Sequence, residues 1–221
     1  MKTSFLDYLL SSICVLFLMG LSAATAWTLP VRGSFGALIA LAVFMLAYGI
    51  YTMLLLAMLR KFRPYPEGRY SMASDAFTYW KLNAVLADLA AKALSPFNTV
   101  FTQTLIHVGF GARIGPSVAI GGVLRDHPLL DIGAHATIGQ NSVVTAHAIT
   151  HENIVIKRIR IGSGAVIGIN CVVMPGVELG KNAVLAPGAV ATVDTKIPAN
   201  ELWGGTPARK LKTLSPSSYN K

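Results

Sequence analysis

The sequence predicts two transmembrane α-helices followed by an all-β parallel β-helix, a hexapeptide-repeat solenoid. The first observation is a six-residue ruler of aliphatic residues, most of them followed by a small one. Val108-Gly109, Ile114-Gly115, Ile120-Gly121, Ile132-Gly133 and Ile138-Gly139 form one run; Ile161-Gly162, Ile167-Gly168, Val173, Leu179-Gly180, Leu185-Ala186, Ala191 and Ile197 form a second. The second observation is a pair of segments without charge, Tyr8 to Val31 and Ser34 to Leu59. The third is the crowding of basic residues just after the second segment.

A unit of one short strand and one turn buries no apolar face by itself, so successive units must stack around a shared interior. A second small or apolar position supports this, recurring as Ala112, Val118, Ala136, Ser142, Ala165, Cys171, Val177, Ala183 and Ala189. A β-sandwich with accidental spacing does not keep a dozen units in register.

Each uncharged segment exceeds the roughly 20 apolar residues that carry a helix across a bilayer. Lys and Arg near span ends stay cytoplasmic. Arg60, Lys61, Arg63 and Arg69 crowd the second exit whereas the connection offers only Arg32, so both termini are expected in the cytoplasm, at the cell (inner) membrane. Lys2 and the small-residue stretch Ala24-Thr25-Ala26 imitate a signal peptide, but the apolar run is longer than a signal core. An uncleaved span is expected.

The chain thus divides into a two-span anchor (1–62), a linker with an amphipathic juxtamembrane helix (63–107), the solenoid (108–212) and a tail (213–221). Ser74-Asp75 reads as the start of that helix and Ser95-Pro96 as its end. Phe77, Trp80, Ala84, Ala87 and Ala91 share one face, with Lys81, Asp88 and Lys92 on another. The helix suits either the headgroup boundary or the solenoid's first coil.

A net charge of +9 fits anionic lipid or a phosphate-bearing ligand. Nucleic acid is disfavoured, because no recognition helix, aromatic-interleaved groove or zinc spacing accompanies the charge. Cys14 and Cys171 imply neither a disulfide nor a redox site.

Chemistry is expected where the repeat breaks. Between Val144 and Ile161 lie about eleven residues more than a turn requires, and loops leaving a rigid scaffold tend to carry function. This one holds His147, His151 and Glu152, and His147 is the candidate general base. His151 and Glu152 are expected to be solvated, or else to orient His147 or touch the acceptor. Asp126 occupies an aliphatic position of the ruler, so the strand bulges there or the carboxylate has a partner. With three repeats per coil, Asp126 would lie beneath Val144 and share an edge with the histidines. His107 and His135 read as exposed turn residues.

The second run closes with Ile197-Pro198-Ala199-Asn200-Glu201 and then Gly204-Gly205-Thr206-Pro207-Ala208-Arg209. It resembles the hexapeptide-repeat acyltransferases of the left-handed β-helix superfamily, membrane-anchored type, whose last coil ends in a similar Gly-x-Pro-Ala-Arg turn. Thr145-Ala146-His147, followed by Ile159-Arg160-Ile161-Gly162, is similar to their catalytic loop. The resemblance implies a left-handed coil, a homotrimer, an acyl-CoA co-substrate such as acetyl-CoA, no metal, and His147 as catalytic base. It implies a coenzyme A groove at Gly168, Ile169, Pro187 and Thr192, with Arg209 and Lys212 near the adenosine 3′-phosphate and Lys210 assisting. A guanidinium and an ammonium beside a turn also suit phosphate without the resemblance. Asp126 or His127 matches a position that contacts the acceptor. The chain departs from the soluble sugar acetyltransferases in lacking their N-terminal helical cap and in having Val166 where they often place Trp.

The expected reaction is acyl, most simply acetyl, transfer to a hydroxyl of a membrane-associated glycan or lipid-linked sugar. Three alternatives stay open: N-acylation of an amino sugar or amino compound, a γ-type carbonic anhydrase using His135, His147 and His151, and a non-catalytic membrane scaffold. The Arg-x-Asp and Gln-Asp neighbourhoods of the carbonic anhydrases are missing.

Overall fold

A computed structural model describes residues 4–29 and 33–215. Lys2, Val31, Arg32 and most of the expected tail lie outside the described residues. The chain forms two compact units: the described residues of 1–66 with 71–102, and those of 67–70 with 103–221.

In the first unit, α1 (Phe5–Thr28) and α2 (Gly36–Phe62) are long and apolar enough to cross a membrane. A capping box starts α1: Asp7 N–H donates to Ser4 Oγ at 3.3 Å, and Ser4 N–H donates to Asp7 Oδ2 at 2.7 Å. Arg60 and Lys61 occupy the last turn of α2, where the helix dipole favours cations. Ser74 caps α3 (Asp75–Ala93), and a short turn at Ser95–Phe97 follows it, as expected. This helix packs on α1 and α2. Lys81, expected on a face apart from Phe77, is instead buried, lies over the Phe77 ring and pairs with Asp7. Burial of either charge alone would be costly, which accounts for the pair.

In the second unit the ruler becomes three parallel ladders. The first, a charged face, stacks Arg113–Ile114, Leu130–Ile132, Ile159–Ile161, Glu178–Leu179 and Lys196–Ile197. The second, a mixed face, stacks Ala119–Ile120, Thr137–Ile138, Val166–Ile167, Val184–Leu185 and Glu201–Gly204, and Arg209–Thr213 closes it antiparallel. The third stacks Val123–Arg125, Val143–Thr145, Val172–Val173 and Val190–Ala191, with Val123, Val143, Val172 and Val190 in one outward row. Ile138, Val144, Ile167, Val173, Leu185 and Ala191 are buried in the interior, as are Ala136, Ser142, Cys171 and Ala183 of the second periodic position. Each large aliphatic contributes about 1.5–3 kcal/mol.

Two positions on the ruler differ from expectation. Val108 and Gly109 end α4 (Gln103–Gly109) rather than opening a coil, so the solenoid starts at Arg113. Leu124, not Asp126, pairs with Val144. The cause is the corner Gly121-Gly122, which has two residues where the corner from Gly139 to Ser142 has four. A Cβ on Gly122 would come within 2.5 Å of the Ser142 carbonyl oxygen, so glycine alone fits this tight corner. The chain is thereby advanced, and Asp126 is moved out of the interior row.

The long insertion is present. Ile114 pairs with Ile132 eighteen residues on, but Ile132 pairs with Ile161, an excess of eleven. It forms an antiparallel hairpin, His147–Ile149 with Asn153–Ile156, and Gly68–Ser71 adds a third strand.

Ile167→Ala should lower solenoid stability by about 2–5 kcal/mol, read by denaturant titration; a loss under 0.5 kcal/mol would contradict a packed interior. Lys81→Ala should lower the melting temperature in detergent more than the double change Asp7→Ala/Lys81→Met, because only the single change strands a buried carboxylate. Equal losses would contradict the pairing.

Candidate active site

The hairpin leaves the solenoid directly after Val143–Thr145, so His147 stands at a corner rather than on a face. Its Nδ1 lies 2.6 Å from Asp126 Oδ2 and 3.2 Å from Thr145 Oγ1. The Thr145 hydroxyl also donates to the His147 carbonyl at 3.1 Å, fixing the first residue of the strand. An ionised carboxylate only accepts hydrogen bonds, so Asp126 selects the tautomer with hydrogen on Nδ1 and leaves the lone pair on Nε2.

The environments of the two groups differ. The Asp126 side chain is 3% exposed and that of His147 is 25% exposed, so the carboxylate is withheld from water while the imidazole reaches it. Asp126 adopts left-handed backbone (φ 57°, ψ 50°) at the start of the single turn His127–Leu129, and its side chain does not cap that turn. It bonds His147 instead. The expectation that the Asp126 carboxylate has a partner holds, by a different register from the one the ruler gave.

His127 shares the turn but faces elsewhere. It is buried, its Nε2 is 3.0 Å from His107 Nδ1, and its ring lies 5.1 Å from those of both His107 and Phe110. His107 is therefore not an exposed turn residue: it belongs to α4 and is half-buried. Burial pulls its imidazole down from 6.5 to about 4. His135 is exposed at a left-handed turn position, as expected.

His151 and Glu152 are exposed at the hairpin tip, in the turn closed by Thr150 N–H to the Asn153 carbonyl at 2.8 Å. The structure does not bring them to His147.

The residues expected to hold coenzyme A are spread along the solenoid. Gly168 and Ile169 lie at the corner between the mixed face and the valine row, with Pro187 one coil further on; Gly188 N–H donates to the Ile169 carbonyl at 2.9 Å. Gly168 packs so closely on Pro187 that a Cβ there would meet Pro187 N at 2.6 Å. Thr192 is exposed at the opposite edge of the valine row, the edge from which His147 departs. Arg209, Lys210 and Lys212 lie exposed on the closing strand. Lys210 is engaged by Glu201 at 2.5 Å, whose carboxyl that ion pair lowers.

A groove of about 810 Å³ lies away from His147, on the charged face. Its side chains Arg113, Asp131, Arg160, Glu178 and Lys196 alternate in sign and pair along the ladder, at 3.2 Å for Arg113–Asp131 and 3.1 Å for Arg160–Glu178. Such exposed pairs contribute little individually, and the Asp126–His147 geometry is the better guide to chemistry.

Residues 158–192 match the profile of the bacterial transferase hexapeptide, six repeats. A mitochondrial protein of Arabidopsis thaliana named gamma carbonic anhydrase 1 is 32% identical over 127 residues, 50% of this chain and 45% of its own. The chain thus spans about half the length of that relative. Among solved structures, a hexapeptide-repeat-containing acetyltransferase from Vibrio cholerae superposes with a TM-score of 0.52 at 22% identity, over 67% of this chain and 96% of its own. The same Vibrio cholerae protein complexed with acetyl coenzyme A gives 0.50 at 21% identity, over 66% and 93%. The solenoid therefore has the fold of the hexapeptide-repeat acetyltransferases.

Between pH 6.5 and 4 the unfolded chain binds a proton at His107 that the folded chain refuses. Stability is therefore greatest above this window and falls as pH drops through it. Denaturant titrations across the window should show a shallower decline for His107→Gln than for the unsubstituted chain; parallel curves would contradict a buried neutral imidazole.

Proposed function

We propose that the protein is a membrane-anchored acyltransferase that moves an acyl group, most simply acetyl, from acyl-CoA to a hydroxyl of a membrane-associated glycan or lipid-linked sugar. The observation that carries this reading is the Asp126–His147 bond of 2.6 Å at the one long interruption of the described repeat run.

In this mechanism Nε2 of His147 takes the proton of the acceptor hydroxyl as its oxygen forms a bond to the thioester carbonyl carbon. The carbon–sulfur bond then breaks, and the proton passes from Nε2 to the departing thiolate. Asp126 keeps the imidazole oriented and stabilises it while it carries the proton, contributing to the roughly 10²- to 10⁴-fold typical of positioned proton transfer. No covalent enzyme intermediate is needed. The donor would lie along the valine row between the corner of Gly168, Ile169 and Pro187 and that of Thr192. Arg209 and Lys212 would meet its phosphate; Lys210, already held by Glu201, would add less.

Copies of the chain would assemble as a homotrimer. The outward row of Val123, Val143, Val172 and Val190 supports this, since a partner would cover an apolar strip and place a second wall beside His147. The two apolar helices would hold the site near an acceptor confined to the bilayer, raising its effective concentration. The basic residues after α2 favour a cytoplasmic catalytic unit. His127, turned toward His107, is a weaker candidate for acceptor contact than its neighbour Asp126 suggested. Transfer to an amine would use the same base.

A γ-type carbonic anhydrase is the second reading, favoured by the 32% identity to the plant protein. It would require a zinc ion held by histidines of adjacent copies. Metal analysis and a CO₂ hydration assay on purified protein separate the readings: stoichiometric zinc with hydration activity would displace the acyltransferase.

Incubating the full chain with labelled acetyl-CoA and membrane extract should yield an acetylated glycan or lipid by mass spectrometry. His147→Ala should lose about 10²- to 10⁴-fold in turnover and still bind coenzyme A, with Asp126→Asn losing part of that. Unchanged turnover in His147→Ala would remove the assignment.

A further inference from the structure

We propose that Arg158, gripped by Glu67, is a positioning residue that fixes the turn carrying Asp126 against the hairpin carrying His147. The inference deepens the acyltransferase reading and rests on it for the role of the pair.

Three basic residues close the hairpin, and only one is built into the structure. Lys157 pairs with Asp194, and Arg160 with Glu178, through side chains that are all more than a third exposed. Arg158 is 17% exposed and draws three partners from two separate stretches of chain, Glu67 and the run from Pro128 to Asp131. Its Nη1 donates to the Pro128 carbonyl at 3.2 Å and lies 3.4 Å from Asp131 Oδ1. Its Nη2 lies 3.6 Å from Glu67 Oε2, while its backbone N–H donates to Glu67 Oε1 at 3.2 Å. One carboxylate therefore holds residue 158 at both main chain and side chain. A planar guanidinium suits such a fork, which an ammonium cannot reproduce.

The partners are those the site needs. Pro128 is the middle residue of the turn that Asp126 opens, and Leu129 N–H donates to the Asp126 carbonyl at 2.9 Å, so a hand on Pro128 is a hand on Asp126. On the other side, Ile156 stands opposite His147 and Lys157 N–H donates to the Ala146 carbonyl at 2.9 Å, so the residue after Lys157 sits at the root of the hairpin. One guanidinium thus bridges the piece bearing the carboxylate and the piece bearing the imidazole.

Glu67 also heads the strand Gly68–Ser71, which flanks Asn153–Ile156. A hairpin projecting from a solenoid as two strands would be marginal, and a third strand makes it hold. That strand comes from the segment between α2 and α3, so the sheet that orients His147 is completed by chain outside the repeats.

The test compares Arg158→Ala, Arg158→Lys, Glu67→Gln and Asp126→Asn in the full chain, with the double change Arg158→Ala/Asp126→Asn. Arg158→Ala should lower kcat by about 10- to 100-fold, the cost of a misplacement near 1 Å, with KM for acetyl-CoA unchanged. Arg158→Lys and Glu67→Gln should lose less. In the Asp126→Asn background the removal of Arg158 should cost almost nothing further, because its effect runs through that carboxylate. Hydrogen exchange of amides 147–156 should accelerate in Arg158→Ala. An unchanged kcat, or losses that multiply in the double variant, would overturn the inference. If His147→Ala keeps full activity, it is the acyltransferase reading that fails, and exchange then decides the strut by itself: unaltered protection sinks it, faster exchange sustains it.

Discussion

The structure depends on a single steric constraint: each short strand of the solenoid must deliver one apolar side chain to an interior row whose rungs are fixed at the spacing of hydrogen-bonded strands, about 4.8 Å. Ile120, Ile138, Ile167 and Leu185 meet that demand on successive coils. A residue that cannot meet it has to leave the row. Asp126 leaves by means of the Gly121-Gly122 corner, which brings Leu124 into the interior and lifts the carboxylate to the edge. The hairpin leaves at the corner that follows Val144. Both departures occur on adjacent coils at the same edge, and their meeting produces the Asp126–His147 pair.

Rigidity and reach are thereby divided between two kinds of backbone. The ladders supply a frame with little freedom, since its interior is packed and corner glycines such as Gly115, Gly122 and Gly139 have no room for a Cβ. The inserted strands supply reach. Loose insertion would waste the precision of the frame, and the structure counters this with hydrogen bonds from Thr145, a third strand from 68–71, and the Arg158 bridge. A carboxylate 3% exposed beside an imidazole 25% exposed has the asymmetry that the proposed base chemistry would use, one group withheld from water and the other in reach of it.

Much of this was legible in the sequence because period and insertion length are properties of spacing alone. The ruler located one interior residue on most strands from Ile120 to Ile197, though not Leu124, Leu130 or Ile159, and the excess between Val144 and Ile161 located the hairpin. Ser74 and Ser95-Pro96 marked the third helix because caps are local. What spacing could not reveal was register at a corner: the tight turn at Gly121-Gly122 keeps Asp126 on the six-residue count while removing it from the row. Val108 failed for the opposite reason, as an aliphatic–glycine pair that fits the end of a helix equally well. Lys81, His107 and Arg158 escape a local reading because their partners lie 74, 20 and 91 residues away. Nothing local distinguishes Arg158 from Lys157 and Arg160.

On the geometry of the pair, Asp126 should hold the His147 imidazole with hydrogen on Nδ1 and the lone pair on Nε2. Long-range proton–nitrogen correlation spectra of ¹⁵N-histidine-labelled protein at neutral pH, with His147 assigned by substitution, measure this directly. A protonated Nδ1 and a bare Nε2 are expected, reverting to a tautomer mixture in Asp126→Asn; a His147 ring carrying its hydrogen on Nε2, indifferent to the loss of the carboxylate, would overturn the assignment.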